Sequence, residues 1–253
     1  MRPSYLLGTM HVADSRVTHF GDTINGLIGR CDSLTLEAKF DENAQAEMFK
    51  AMMLRNNKRL DEYISEDEMA ILLSSLASQP MMAQMVVLLK PWAATLLLSM
   101  PQNSSGMAMD AKLQGRFTAL NKPVYQLESP MEQINIFEQL AISDQVEMLR
   151  ETIAHVDEIE DVLQETLERY LAEDIAGLLQ LNNKHLAESK VKALPTFLRR
   201  LVEDRNVIMA SRMQERLNEG NALIAVGALH LPGDEGLLSL LEALGYRLTN
   251  FIK

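Results

Sequence analysis

Two short units in this chain could do chemistry. Gly8-Thr9-Met10-His11 and Gly227-Ala228-Leu229-His230 share the pattern Gly-x-x-His, and 219 positions separate their histidines. Each follows a short apolar run that reads as a strand, and α/β folds place their sites at the C-terminal ends of strands. Glycine lets the backbone turn or approach closely. A neutral imidazole at such a point can ligate a metal or take a proton. Structural histidines in turns are the plainer alternative. The two histidines are expected to converge on one site.

Two carboxylates occupy similar places. Glu37 ends the run Ser33-Leu34-Thr35-Leu36, and Glu128 follows Val124-Tyr125-Gln126-Leu127. A glutamate at the apolar end of a buried strand is costly unless it is paired or bound to a metal. Two histidines with one or two glutamates suit a divalent transition metal. Alternatively, each glutamate pairs with an arginine or caps a helix. Arg205, by spacing alone, reads as a solvated helical residue. His19, His155 and His185 lie on polar stretches and read as surface residues. Cys31 falls in a helix-to-strand turn and reads as packing. Gly-x-Ser-x-Gly, the phosphate-binding Gly-Lys-Ser/Thr loop, Gly-x-Gly-x-x-Gly and His-Glu-x-x-His are all missing.

The elements that must position these residues can be read from the pattern. Strands are expected at Tyr5–Leu7, Ser33–Glu37, Pro123–Leu127, Ala222–Val226 and Tyr246–Ile252. Long helical stretches separate them. Ser65-Glu66-Asp67-Glu68 and Ser129-Pro130-Met131-Glu132 have the form of capping boxes, the second with proline at the first helical position. From Glu147 to Asp174 there are ten acidic and two basic residues. That stretch reads as one long solvated helix, with an acidic ligand-binding surface as the alternative. Gln102 to Gly106 reads as a polar loop. The expected architecture is α/β: a mixed β-sheet core with strands from both chain ends and the middle, and two large helical insertions at about 41–108 and 143–217. A single domain spanning 1–253 fits this arrangement.

Composition narrows the function classes. The net charge of −11 repels phosphate backbones, and aromatic residues at 5% supply few stacking platforms, so nucleic acid is not an expected partner. One cysteine excludes an internal disulfide framework and a thiolate-rich zinc site. Lys90 and Pro91 interrupt the most apolar stretch, Met81 to Met100, so no membrane span is expected. The first residues lack the form of a secretory signal, which points at face value to the cytoplasm; a periplasmic or secreted protein is expected if a leader has been removed.

The motifs together resemble the TraB/PrgY/GumN family, which includes the animal Tiki proteins. The resemblance is carried by five ordered elements: Leu6-Leu7-Gly8-Thr9-Met10-His11; Leu34-Thr35-Leu36-Glu37; Met109-Asp110-Ala111-Lys112-Leu113 with Asn121-Lys122-Pro123-Val124 and Leu127-Glu128-Ser129; Arg205-Asn206-Val207-Ile208-Met209; and Val226-Gly227-Ala228-Leu229-His230-Leu231-Pro232-Gly233. Asn121 stands where the family usually has glycine, and Ser129 where it usually has threonine. The resemblance implies an α/β core related to the erythromycin esterase and ChaN-like proteins. It also implies metal-dependent cleavage of a peptide or protein substrate with Mn²⁺ or Co²⁺, Zn²⁺ being a further option. His11, His230, Glu37 and Glu128 would then line the metal site. Glu37, Glu128 and Arg205 would be the catalytic candidates, with Arg205 steadying a carboxylate or a developing oxyanion. Two other functions fit: a peptide-sequestering protein, with Met48, Met52, Met53, Met81, Met82 and Met85 forming an adaptable groove, and a haem or iron binder of the ChaN-like kind.

Overall fold

The computed structural model describes residues 2–39, 41–101 and 106–251. Four strands are formed: β1 (Tyr5–Thr9), β2 (Ser33–Leu36), β3 (Val124–Gln126) and β4 (Ala222–Gly227). Helices α1 (Ser15–Thr18) and α2 (Asp22–Arg30) connect β1 to β2. Helices α3 (Glu42–Met52), α4 (Glu66–Ser75), α5 (Pro80–Met85), α6 (Pro91–Leu98) and α7 (Met109–Ala119) connect β2 to β3. Helices α8 (Pro130–Glu138), α9 (Ile142–Ala154), α10 (Ile159–Leu171), α11 (Ile175–Glu188), α12 (Leu194–Leu201) and α13 (Glu203–Glu219) lead to β4, and α14 (Leu237–Ala243) follows it.

Every return from one strand to the next is a helical crossover, and crossovers of that kind join parallel strands. The sheet has the order β1-β4-β2-β3 and is parallel throughout. The α/β class, with strands from both chain ends and the middle, is as expected. The mixed character is not: among the described residues no strand runs antiparallel in this sheet. The expected strand at Tyr246–Ile252 does not form over its described part, residues 246–251. Its alternation instead places Tyr246 and Leu248 against a core cluster as irregular chain, and Phe251 packs edge-on against Tyr5.

The parity of the strands explains the layers. Leu34 and Leu36 of β2 and Leu223 and Ala225 of β4 pack with Leu27, Ile28, Leu113 and Phe117 from α2 and α7. The alternate residues Ala222, Ile224 and Val226 pack with Met209, Met213, Leu237 and Leu241 from α13 and α14. With helices on both faces, β4 is buried along its whole length, which is why it reads as a continuous apolar run. A separate core joins α4, α6 and α9, with Leu72, Trp92, Leu97 and Leu149 at its centre. Beside it Glu138 accepts from Lys90 Nζ and from Trp92 Nε1, the latter at 2.8 Å, so a half-buried carboxylate ties α6 to α8.

Local signals held where they had a physical mechanism. Ser65 and Glu68 form a reciprocal capping box at α4, and Ser129 and Glu132 form another at α8. The acidic stretch 147–174 is not one helix. It breaks at His155, where a short 3₁₀ turn (Val156–Glu158) separates α9 from α10. On one side of the break Val146, Leu149 and Ile153 pack in the helical core, and on the other Leu167 packs in the sheet layer. Residues 102–105 of the expected polar loop lie outside the described residues. No helix among the described residues is long and apolar enough to cross a membrane.

Candidate active site

Because the strands are parallel, all four deliver their C-terminal ends to one edge of the sheet. His11 follows β1, Glu37 follows β2, Glu128 follows β3, and Gly227 ends β4 with His230 three residues on. The backbone N–H of Glu128 donates to the carbonyl of Glu37 at 2.8 Å, so the two glutamates sit side by side. The Gly227 N–H donates to Glu37 Oε1 at 2.5 Å. Thr9 pairs with Gly227 in the β1–β4 register, which brings the two Gly-x-x-His units together.

The side chains close the constellation. One Glu37 oxygen, Oε1, stands 3.8 Å from His11 Nε2 and 3.7 Å from His230 Nε2. A Cβ placed on Gly227 would lie 3.2 Å from Glu37 Oε1, 3.3 Å from His11 Nε2 and 3.5 Å from His230 Cδ2. The glycine therefore keeps open the point at which the three side chains meet.

Each ring is oriented from behind. His11 Nδ1 donates to Asp110 Oδ2 at 2.8 Å, since an ionised carboxylate can only accept. Thr9 Oγ1 donates to the other Asp110 oxygen at 2.7 Å. Arg205 Nη1 lies 3.2 Å from His230 Nε2 and can only donate, so Nε2 accepts. His230 Nδ1 then donates to Asn206 Oδ1 at 2.7 Å. Asn206 is itself fixed by donating to the Glu235 carbonyl at 2.8 Å.

Arg205, read from spacing as a solvated residue, is buried instead. It sits in the first turn of α13 and points at the sheet edge. Nη2 donates to Glu37 Oε2 at 2.5 Å, Nε to Glu128 Oε2 at 2.9 Å, and Nη1 to the Leu201 carbonyl at 2.8 Å. Gln133 of α8 also reaches Glu128 Oε2, at 3.3 Å. One buried cation thus holds two buried carboxylates, which offsets much of the cost of removing three charges from water. Burial disfavours the guanidinium, but Glu37 and Glu128 outweigh it and hold Arg205 more firmly protonated than usual.

The electrostatics separate the two histidines. Burial would raise the Glu37 carboxyl, yet His230, Arg205, His11 and the Gly227 N–H pull it down to about 2. Burial pushes His230 down to about 4. Burial also works against the His11 imidazolium, but the hydrogen bond and charge of Asp110 overcome it and raise His11 to about 9. The His230 side chain is 7% exposed and the His11 side chain 58% exposed, so the site opens to solvent on the His11 side.

His11, Glu37, Glu128, Arg205 and His230 therefore meet at one place. His19 and His155 are exposed and His185 is half-buried, all away from it, and Cys31 is buried at the end of α2. Asp110, Asn206 and Gln133 complete the site and were not picked out as site residues. Asp110 and Asn206 stand inside two of the family-like motifs, but nothing in their spacing connects them to the histidines.

Among the described residues no group of three or more His, Cys, Asp or Glu side chains is placed so as to hold a metal ion. Two features of the site are those of a metal-ligating pair, and one runs against it: His230 Nε2 already accepts from Arg205 Nη1 at 3.2 Å. Both imidazoles donate through Nδ1 to a side-chain oxygen, the arrangement that orients metal-ligating histidines, and both turn Nε2 toward the same carboxylate oxygen. Arg205 and Gln133 engage both glutamates, and Glu37 is the one that turns an oxygen, Oε1, to both imidazoles.

Fold and site together define an α/β protein with a parallel sheet and, at its C-terminal edge, a buried Glu37-Glu128-Arg205-His230 centre with the exposed His11 at its mouth. The chain belongs to the TraB/PrgY/gumN family, which it matches over residues 1–250. No curated protein and no solved structure matches it.

Proposed function

We propose that this chain is a metal-dependent hydrolase acting on peptide or protein substrates. One observation carries the reading: His11 Nε2 and His230 Nε2 face the same Glu37 oxygen at 3.8 and 3.7 Å, each ring anchored through Nδ1. The peptide as substrate class comes from the resemblance to the Tiki branch of the family.

His11, His230 and Glu37 would hold the ion, with Mn²⁺ or Co²⁺ the preferred metals and Zn²⁺ compatible with the same donors. When bound, the metal supplies a water of lowered pKa. The remaining work falls to the chain. Asp110 and Asn206 fix the two rings so that neither has to reorient. Glu128 and the Leu201 carbonyl hold Arg205 beside Glu37, where the charge of its guanidinium can stabilise negative charge developing on a substrate carbonyl oxygen. The exposed face of His11 is the side from which substrate approaches.

The test is metal content by mass spectrometry after loading with Mn²⁺ or Co²⁺, beside cleavage of a fluorogenic peptide library. The wild type should hold the ion stoichiometrically and turn peptides over, and the His11→Ala/His230→Ala double variant should do neither. A wild type that holds no metal under any loading condition would sink the proposal. Peptide binding retained by the double variant, with no cleavage by either protein, would replace it with the sequestering function.

A further inference from the structure

The turn that carries His11 also forms one wall of a cavity of about 360 Å³. Met10 and Val12, the two neighbours of His11, line it together with Leu163 and Leu167 of α10. Met10, Val12 and Leu167 belong to the core cluster beneath, so this floor is fixed. The volume is large enough for a long side chain, and the turn joins the cavity to the His11 edge through the two residues that flank His11.

The rim carries charge of one sign. Asp14 and Arg16 both line the cavity, but they neutralise each other: Arg16 Nε and Nη2 donate to the two Asp14 oxygens at 3.1 and 2.9 Å. Arg16 Nη2 also donates to Gln164 at 3.1 Å, which secures the turn to α10. Glu160 is left. It lines this cavity and a second one of about 200 Å³ on its other side, is exposed, and has no ion-pair partner among the described residues. An apolar floor under an unpaired carboxylate suits a side chain with an apolar stem and a cationic head.

We infer that this cavity is a substrate subsite that receives a lysine or arginine side chain of the peptide, with Glu160 selecting its charge. The inference rests on the reading of the His11 edge as the place where a peptide binds. Its ligand is a basic peptide segment, and the charge of the chain, −11, favours the approach of such a segment from a distance.

The probes are the pentapeptides acetyl-Gly-Gly-X-Gly-Gly-amide with X as lysine, norleucine or glutamate, titrated into the full-length protein and followed by chemical shift. The lysine peptide should bind about fivefold tighter than the glutamate peptide. Glu160→Gln, a surface change, should bring lysine down to the level of norleucine. Leu163→Trp, which fills the cavity, should weaken lysine and norleucine alike by about tenfold. Equal binding of lysine and glutamate, a lysine preference that survives Glu160→Gln, or no binding of any peptide would overturn the inference. Binding is read without turnover, so the two proposals separate. A protein that binds the lysine peptide as described yet never cleaves a peptide keeps its subsite and loses the hydrolase reading. One that cleaves without preference for a basic residue does the reverse.

Discussion

Asp110 accepts the His11 Nδ1–H at 2.8 Å across 99 positions of sequence, while its second oxygen accepts from Thr9 at the end of β1. One carboxylate in the first turn of α7 therefore fixes both the strand end and the ring that follows it. It is also what raises His11 to about 9 against burial. Replacing Asp110 with alanine should return the His11 titration, followed by NMR in metal-free protein, toward or below the ordinary value near 6.5. An unmoved titration would show that Asp110 does not control the ring.

The two histidines should make the stability of the metal-free protein fall on both sides of neutrality. His230 is lowered to about 4, so between roughly 6.5 and 4 the unfolded chain binds the extra proton and stability is lost as pH falls. His11 is raised to about 9, so its contribution is complete below roughly 6.5 and is lost as pH rises to 9. The acidic arm should be the steeper, because His230 is enclosed whereas solvent screens the exposed His11 ring. Denaturant midpoints measured from pH 4 to 9 check this, and His230→Asn should flatten the acidic arm alone.

Arg205→Ala leaves Glu37 and Glu128 buried without their cation. The expected loss is about 3–5 kcal/mol, the range found when one partner of a buried pair is removed. Arg205→Lys should recover only part of it, since an ammonium cannot reproduce contacts made through Nε, Nη1 and Nη2 at once. Chemical denaturation of both variants is the measurement. A loss under 1 kcal/mol for the alanine variant would show that the carboxylates find water or protons instead.

The two glycines of the Gly-x-x-His units should fail differently. A methyl at Gly8 would come within 3.2 Å of the Ala228 backbone and closer still to Leu231, so Gly8→Ala should cost about 1–3 kcal/mol in stability. A methyl at Gly227 meets Glu37 and His11 at 3.2 and 3.3 Å, side chains that can give by a few tenths of an ångström. Gly227→Ala should therefore fold with a smaller loss but reduce metal uptake. Thermal unfolding paired with metal content separates the two. Equal stability losses with metal uptake intact in both would overturn the distinction.

Cys31 is fully buried, and burial pushes its thiol up to about 11. It should react with a disulfide reagent at pH 8 only after denaturation, releasing one equivalent. Rapid labelling of the native protein would mean that the α2–β2 turn opens.

Much of this protein was determined by the sequence through local rules. The capping boxes at Ser65 and Ser129 require only residues three apart, and they formed. The apolar runs of β1 and β4 and the alternating Ser33-Leu34-Thr35-Leu36 form strands, and His11, Glu37 and Glu128 follow strand ends as their positions indicated. Tertiary structure decided what local pattern leaves open. Tyr246–Leu248 alternates as a strand does, but those residues pack as irregular chain against the cluster of α13 and α14 and do not pair with either sheet edge, β1 or β3. The strand order β1-β4-β2-β3 set Gly227 beside Thr9 and Glu37, and that adjacency is a property of the sheet, not of either segment. The same is true of Arg205. On a helical wheel it is one more charged residue, and only the docking of α13 against the sheet edge turns it toward two carboxylates that stand 77 and 168 positions away. Asp110 and Asn206 are likewise ordinary helix residues until the fold places an imidazole in front of each, because a hydrogen bond depends on distance and direction in space, which residue type and spacing do not encode.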